Sequence, residues 1–123
     1  MEMGSIKIDS TGVEITPVDG AVWLTQHQIA DLFGCFVSKV NSNIRSILKS
    51  GVLRESDVCR TYHYKNSNFV EQYNLEMIIA LSFQIKSRNA EVFRKYLVQK
   101  SLGNEDTISL ILPLHIKDIN KLN

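Results

Sequence analysis

Residues 23–48 read WLTQHQIADLFGCFVSKVNSNIRSIL, and this stretch decides the fold. Thr25 and Gln28 form a capping box: the threonine hydroxyl accepts the Gln28 N–H, and the glutamine side chain reaches back to the Thr25 N–H. Ile29, Leu32 and Phe33 then share one face at helical spacing, and the small Ala30 lets a second helix cross closely. Gly34 ends this first helix because glycine takes the left-handed conformation without steric cost. The spacing predicts a second helix from about Val37 to Lys49. On a wheel of about 100° per residue, Val40, Ile44, Ile47 and Leu48 make a buried stripe. Ser38, Ser42, Arg45, Ser46 and Lys49 lie opposite it, with Asn41 and Lys39 on the flanks. Gly51 supplies the stop, and Val52 is placed for the hydrophobic contact that follows such a glycine.

Two short helices joined by a tight turn, the second carrying an acid-free polar face, are the pattern of a helix-turn-helix and point to duplex DNA. Between Cys35 and Arg54 the chain has four cations (Lys39, Arg45, Lys49 and Arg54) and no acid. Short hydroxyl and amide side chains near a helix start reach base edges, which nominates Ser38, Asn41, Ser42 and Arg45. Lys39 and Lys49 suit phosphates. The plainer alternative is an ordinary solvated helix, since any surface helix has a polar outer face. The turn glycine, the small alanine and the missing acids occur together, and that favours the DNA reading.

The hydrophobic fraction of 44% and charged fraction of 22% describe globular material of one domain, not a disordered chain. The net charge of +1 hides an uneven distribution: −3 over residues 1–20, +5 over 21–103 and −1 over 104–123. A basic middle fits one localised phosphate-facing surface and not a polycationic coat. Cys35 and Cys59 have no metal-ligand spacing and are too few for a disulfide framework, so two small reduced thiols are expected. There is no leader-like apolar run at the start and no stretch long enough to cross a bilayer, which makes the cytoplasm the expected location. His27, His63 and His115 have no partner at a catalytic spacing, and neither a phosphate-cradling glycine loop nor a metal motif occurs. No enzymatic activity, cofactor, metal or small-molecule substrate is expected.

Outside the central stretch, Ile6-Lys7-Ile8 and Val13-Glu14-Ile15 alternate about Ser10-Thr11-Gly12, a hairpin signal. A second turn at Pro17 to Gly20 leads to Trp23. Residues 58–64 and 69–73 are rich in strand formers and flank the polar turn Lys65-Asn66-Ser67-Asn68. A hairpin directly after a helix-turn-helix has the form of a wing. Lys65 at its tip, helped by Arg60, would then touch backbone or minor groove. Plain scaffold is an equal reading of the same hairpin. Asn74 caps a third helix that is apolar nearly all round, including Phe83 and Ile85, so a central core helix is expected. Ser87 caps a fourth, with Ala90, Phe93, Tyr96 and Leu97 on one face and Arg88, Arg94, Lys95 and Lys100 mostly off it. That second basic set reads as a solvated face before it reads as a phosphate patch. Gly103 ends this helix.

The expected class is therefore α+β, mainly helical: a winged helix-turn-helix domain over residues 1–103 with small β-hairpins and two C-terminal helices. Residues 104–123 form an apolar tail in which Pro113 bars an unbroken helix. The tail either folds back on the domain or packs against a second copy. A homodimer is the expectation, because such proteins bind paired half-sites.

Val22-Trp23-Leu24-Thr25-Gln26, Gln28-Ile29-Ala30-Asp31-Leu32-Phe33-Gly34, Gly51-Val52-Leu53 and above all residues 73–80, with Ser87-Arg88 and Phe93-Arg94, resemble the RhuM-type virulence-associated proteins of bacteria. The resemblance covers roughly residues 20–102. It implies DNA binding and an origin on mobile or horizontally acquired DNA, without supplying a target. One departure stands out. The second position after the turn glycine, commonly a serine that caps the recognition helix in such motifs, is Phe36. Either the helix begins late, with Ser38 as its nearest cap, or Phe36 is exposed to meet a thymine methyl or a protein partner. The second outcome would suit a protein-interaction module that keeps the scaffold without sequence-specific DNA binding.

Overall fold

Five helices and two antiparallel sheets make up the computed structural model, which describes residues 3–103. The order is β1 (Ser5–Asp9), β2 (Gly12–Thr16), β3 (Trp23–Thr25), α1 (Gln26–Phe33), α2 (Val37–Ser50), α3 (Glu55–Val58), β4 (Cys59–His63), β5 (Phe69–Asn74), α4 (Leu75–Ser82) and α5 (Arg88–Gly103). The class is α+β, with roughly half of these residues helical. No helix among them is long and apolar enough to cross a membrane. The expectations for residues 104–123 lie outside the described residues.

Local chemistry sets the element starts. The Asp9 carboxylate accepts from the Thr11 hydroxyl and from the Thr11 and Gly12 N–H groups, which closes the β1–β2 hairpin. These three donors hold the Asp9 carboxyl below its ordinary value, the Thr11 hydroxyl contributing most. The Thr25–Gln28 capping box is formed in both directions, and Gly34 closes α1 at φ 68°. Asn74 Oδ1 accepts from the Met77 N–H to start α4, and Ser87 Oγ accepts from the Ala90 N–H at the head of α5.

The larger sheet has the order β3-β5-β4. Leu24 and Cys59 both lie opposite Tyr73, so β5 is the central strand. β3 thus ties the entry of α1 to the β4–β5 hairpin. The core joins Ile29 and Phe33 of α1, Val40, Ile44 and Ile47 of α2, Met77, Ile78 and Leu81 of α4, and Phe93 and Leu97 of α5. The Phe33 and Phe93 rings meet edge to face at 5.7 Å, which locks α1 to α5.

Several expectations are revised. α2 starts at Val37, not late; its cap residue is Phe36 and Ser38 caps nothing. The buried stripe of α2 includes Asn43, while Leu48 is only partly covered. Val52 is exposed, and Leu53 packs toward the core in its place. α4 stops at Ser82, leaving Phe83 half exposed instead of in the core. The single helical turn α3 before β4 has no period long enough to be read from sequence.

Candidate nucleic-acid interface

α2 packs its apolar stripe on α1 and α4, so the opposite face is turned outward by default. Ser38, Lys39, Ser42, Arg45, Ser46 and Lys49 are all exposed there. Among the described residues, no carboxylate lies within ion-pair distance of Lys39, Arg45 or Lys49. Arg54, the fourth cation of the stretch, is taken up by Asp57 at 3.4 Å. The remaining three leave the outer face of α2 positive from end to end, with short hydroxyls between them.

The N-terminal end of α2 adds to this field. Phe36 contributes no side-chain cap, and its carbonyl accepts the Lys39 and Val40 N–H groups. The first N–H groups of the helix therefore receive no side-chain acceptor from the cap residue, and a helix start of this kind favours anions. Phe36 itself is 82% exposed beside that end.

Asn41 is placed differently from the other candidates. Its Nδ2 donates to Gln26 Oε1 at 3.1 Å, across the α1–α2 contact. Gln26 Nε2 donates in turn to the Tyr73 hydroxyl at 3.4 Å, and that hydroxyl donates to Glu71 Oε2 at 3.0 Å. A chain of polar side chains therefore runs from α2 through the start of α1 to the central strand β5. Asn41 positions the helix pair, and one of its two amide hydrogens is used within the protein. Burial pushes the Tyr73 phenol above its usual range, partly opposed by the Gln26 contact.

The β4–β5 hairpin forms with Lys65 at its tip. Tyr64 N–H donates to the Asn68 carbonyl at 2.8 Å, Asn66 Oδ1 accepts the Asn68 N–H, and Ser67 takes the left-handed conformation at φ 72°. Lys65 is exposed there, on a different element from α2. The shaft is aromatic: Tyr62 meets Tyr64 at 5.2 Å, and His63 faces Phe69 at 6.0 Å. Arg60 is engaged within the sheet. Its guanidinium sits 4.4 Å over the Trp23 ring, and its Nε donates to Gln72 Oε1 at 2.8 Å.

Three members of the second basic set have partners within the molecule, two of them at its surface. Arg94 Nη1 donates to the carbonyls of Ser82 and Ile85, closing the end of α4. Lys95 pairs with Glu91, and Lys100 lies over Tyr96. Both thiols are free and partly covered, and burial raises each above its ordinary value. No cluster of three or more metal-ligating side chains occurs among the described residues. Comparison with known proteins returns no matching family model, no matching curated protein and no matching solved structure.

The structural roles of Gln26, Tyr73 and Arg94 escape a sequence reading. Each bonds to a residue on another element, and no local pattern marks such a pair.

Proposed function

We propose that this chain is a DNA-binding protein of the winged helix-turn-helix type, acting as a regulator of transcription or of a mobile element. α1 and α2 are the helix pair, and α2 enters the major groove. The observation that carries this reading is the outward face of α2, where Lys39, Arg45 and Lys49 stand exposed among serines with no neutralising acid among the described residues. Ser38, Ser42 and Arg45 are the groups available for base edges, and Lys39 and Lys49 reach phosphates. Lys65 extends the contact from the hairpin. The resemblance to RhuM-type proteins supports the same assignment.

A second reading has one observation in its favour. Phe36 is 82% exposed at the entry to α2. An isolated aromatic side chain in that place also suits a protein partner, in which case the scaffold serves as an interaction module.

Selection of binding sites from random duplex DNA at physiological salt separates the two. An enriched sequence, weakened by about 1–3 kcal/mol in Arg45→Ala, supports base readout by α2. No enrichment, together with salt-insensitive or absent duplex binding, rejects it in favour of the interaction module.

A further inference from the structure

The far half of the β4–β5 hairpin stands clear of the third strand. β3 pairs with β5 only over Gln72, Tyr73 and Asn74, so beyond Gln72 the ribbon has two strands. Its sequence interleaves rings with cations: Arg60, Tyr62, His63, Tyr64 and Lys65 precede the turn and Phe69 follows it, and no acid falls between Cys59 and Val70. Tyr64 is 49% exposed and Phe69 64% exposed, and among the described residues neither ring belongs to the hydrophobic core. The register sets His63 opposite Phe69 on one face of the ribbon, while Tyr62 meets Tyr64 on the other. Each face therefore ends in an aromatic pair.

Cross-strand pairing steadies a hairpin, but here it leaves much of Phe69 and Tyr64 in water. Among the described residues no carboxylate lies within ion-pair distance of Lys65, which stands between them in sequence. Exposed rings beside an unneutralised cation match a ligand that has flat apolar faces joined by negative charges. Nucleobases on a phosphate backbone have both, because every base has a π-face and each is linked to a phosphate. In a duplex those faces are covered by the neighbouring base pairs, so the rings reach them only where a strand is open. An apolar protein surface would cover the rings and offer nothing to Lys65, and lysine is depleted where proteins meet each other.

We infer that the end of the β4–β5 hairpin is a stacking site for unpaired bases of a single-stranded nucleic acid. Phe69 and Tyr64 supply the ring faces, and Lys65 meets a phosphate. The site lies on a different element from α2 and does not depend on what α2 binds.

Fluorescence anisotropy of labelled short strands titrated with the full chain, at physiological salt, tests it. The strands are an oligothymidylate, an oligouridylate and an abasic strand of the same length, which keeps the phosphates and has no bases. The parent is expected to bind a base-bearing strand about tenfold or more tighter than the abasic one. Whichever base-bearing strand binds more tightly tells DNA from RNA. Phe69→Leu with Tyr64→Leu keeps apolar bulk and removes the flat faces, so the base-bearing and abasic strands are expected to bind it equally. Both rings are exposed, so the circular dichroism of this variant should match that of the parent. Phe69→Trp keeps a flat face and should keep the difference. Lys65→Ala should weaken all the strands alike. If the parent binds base-bearing and abasic strands equally, the proposal is overturned and the rings are left to a protein partner. A leucine variant that keeps the difference overturns it too. A chain that stacks on single strands but ignores duplex DNA would count only against the function proposed above, and one that binds duplex without preferring bases in a single strand only against this site.

Discussion

Asn43 occupies a core position on α2, yet it carries an amide. It is 8% exposed, and its Nδ2 has no hydrogen-bond partner among the described residues. A buried donor left unpaired costs about 1–3 kcal/mol, and asparagine is a poorer helix former than alanine by up to about 0.7 kcal/mol. Against this, truncation removes a little packing. The donor and propensity effects outweigh the lost contacts, so Asn43→Ala is expected to raise stability by about 1 kcal/mol. Urea unfolding with unchanged m-value checks this. A loss of 1 kcal/mol or more would mean that the amide is satisfied after all. Tyr73 makes the opposite case, a buried polar group with both a donor and an acceptor. Burial raises its phenol above the usual value, whereas an unfolded tyrosine ionises near pH 10. Above that pH the folded state holds the proton more tightly, so stability falls as pH rises past about 10. Tyr73→Phe should flatten this alkaline loss in thermal melts between about pH 9 and 11. A slope identical to the parent's would assign the loss to other groups.

At the scale of elements, the helix ends show how far local chemistry reaches. Thr25, Gly34, Asn74 and Ser87 each set a boundary through a bond to a residue at most four positions away, or through their own backbone freedom. Those boundaries were legible in the sequence for that reason. The far end of α4 is built differently, by Arg94 from α5, twelve and nine residues downstream of the carbonyls it serves. Arg94→Met keeps the aliphatic stem and removes the guanidinium, leaving both carbonyls without this donor. It should cost about 1–3 kcal/mol in chemical unfolding. Retained stability would show that water replaces the guanidinium. The same distinction separates the candidate contacts. Ser38, Lys39, Ser42, Arg45 and Lys49 follow from helical periodicity and are exposed together on α2. Asn41 and Arg60 look equally available in sequence, but Gln26 holds one, and Trp23 and Gln72 hold the other. These partners come from elements that the chain brings together only through the β3-β5-β4 sheet. β3 is three residues long, too short to carry a period, and its pairing with β5 spans almost fifty positions.

For the molecule as a whole, the relevant electrostatic quantity is where the charge sits, because the net value is only +1. In sequence, no acid falls between Cys35 and Arg54, and among the described residues no carboxylate pairs with Lys39, Arg45 or Lys49. With Lys65, the proposed DNA-facing surface would have few phosphate partners, so each would account for a large share of the salt response. Counterion release gives a slope of log K against log salt of about −0.9 per neutralised phosphate on duplex DNA. Lys49→Ala should therefore weaken binding to all sequences alike and reduce the slope by about 0.9, leaving sequence preference intact. Arg45→Ala should change the preference as well, since its guanidinium is the one suited to a guanine edge. Titrations of both variants on a selected and a scrambled duplex, between 50 and 200 mM salt, separate the roles. If Lys49→Ala leaves the slope unchanged, phosphates are met by another face of the molecule. The lysine at the hairpin tip would be the next to neutralise, because Lys65 is exposed on a separate element from α2.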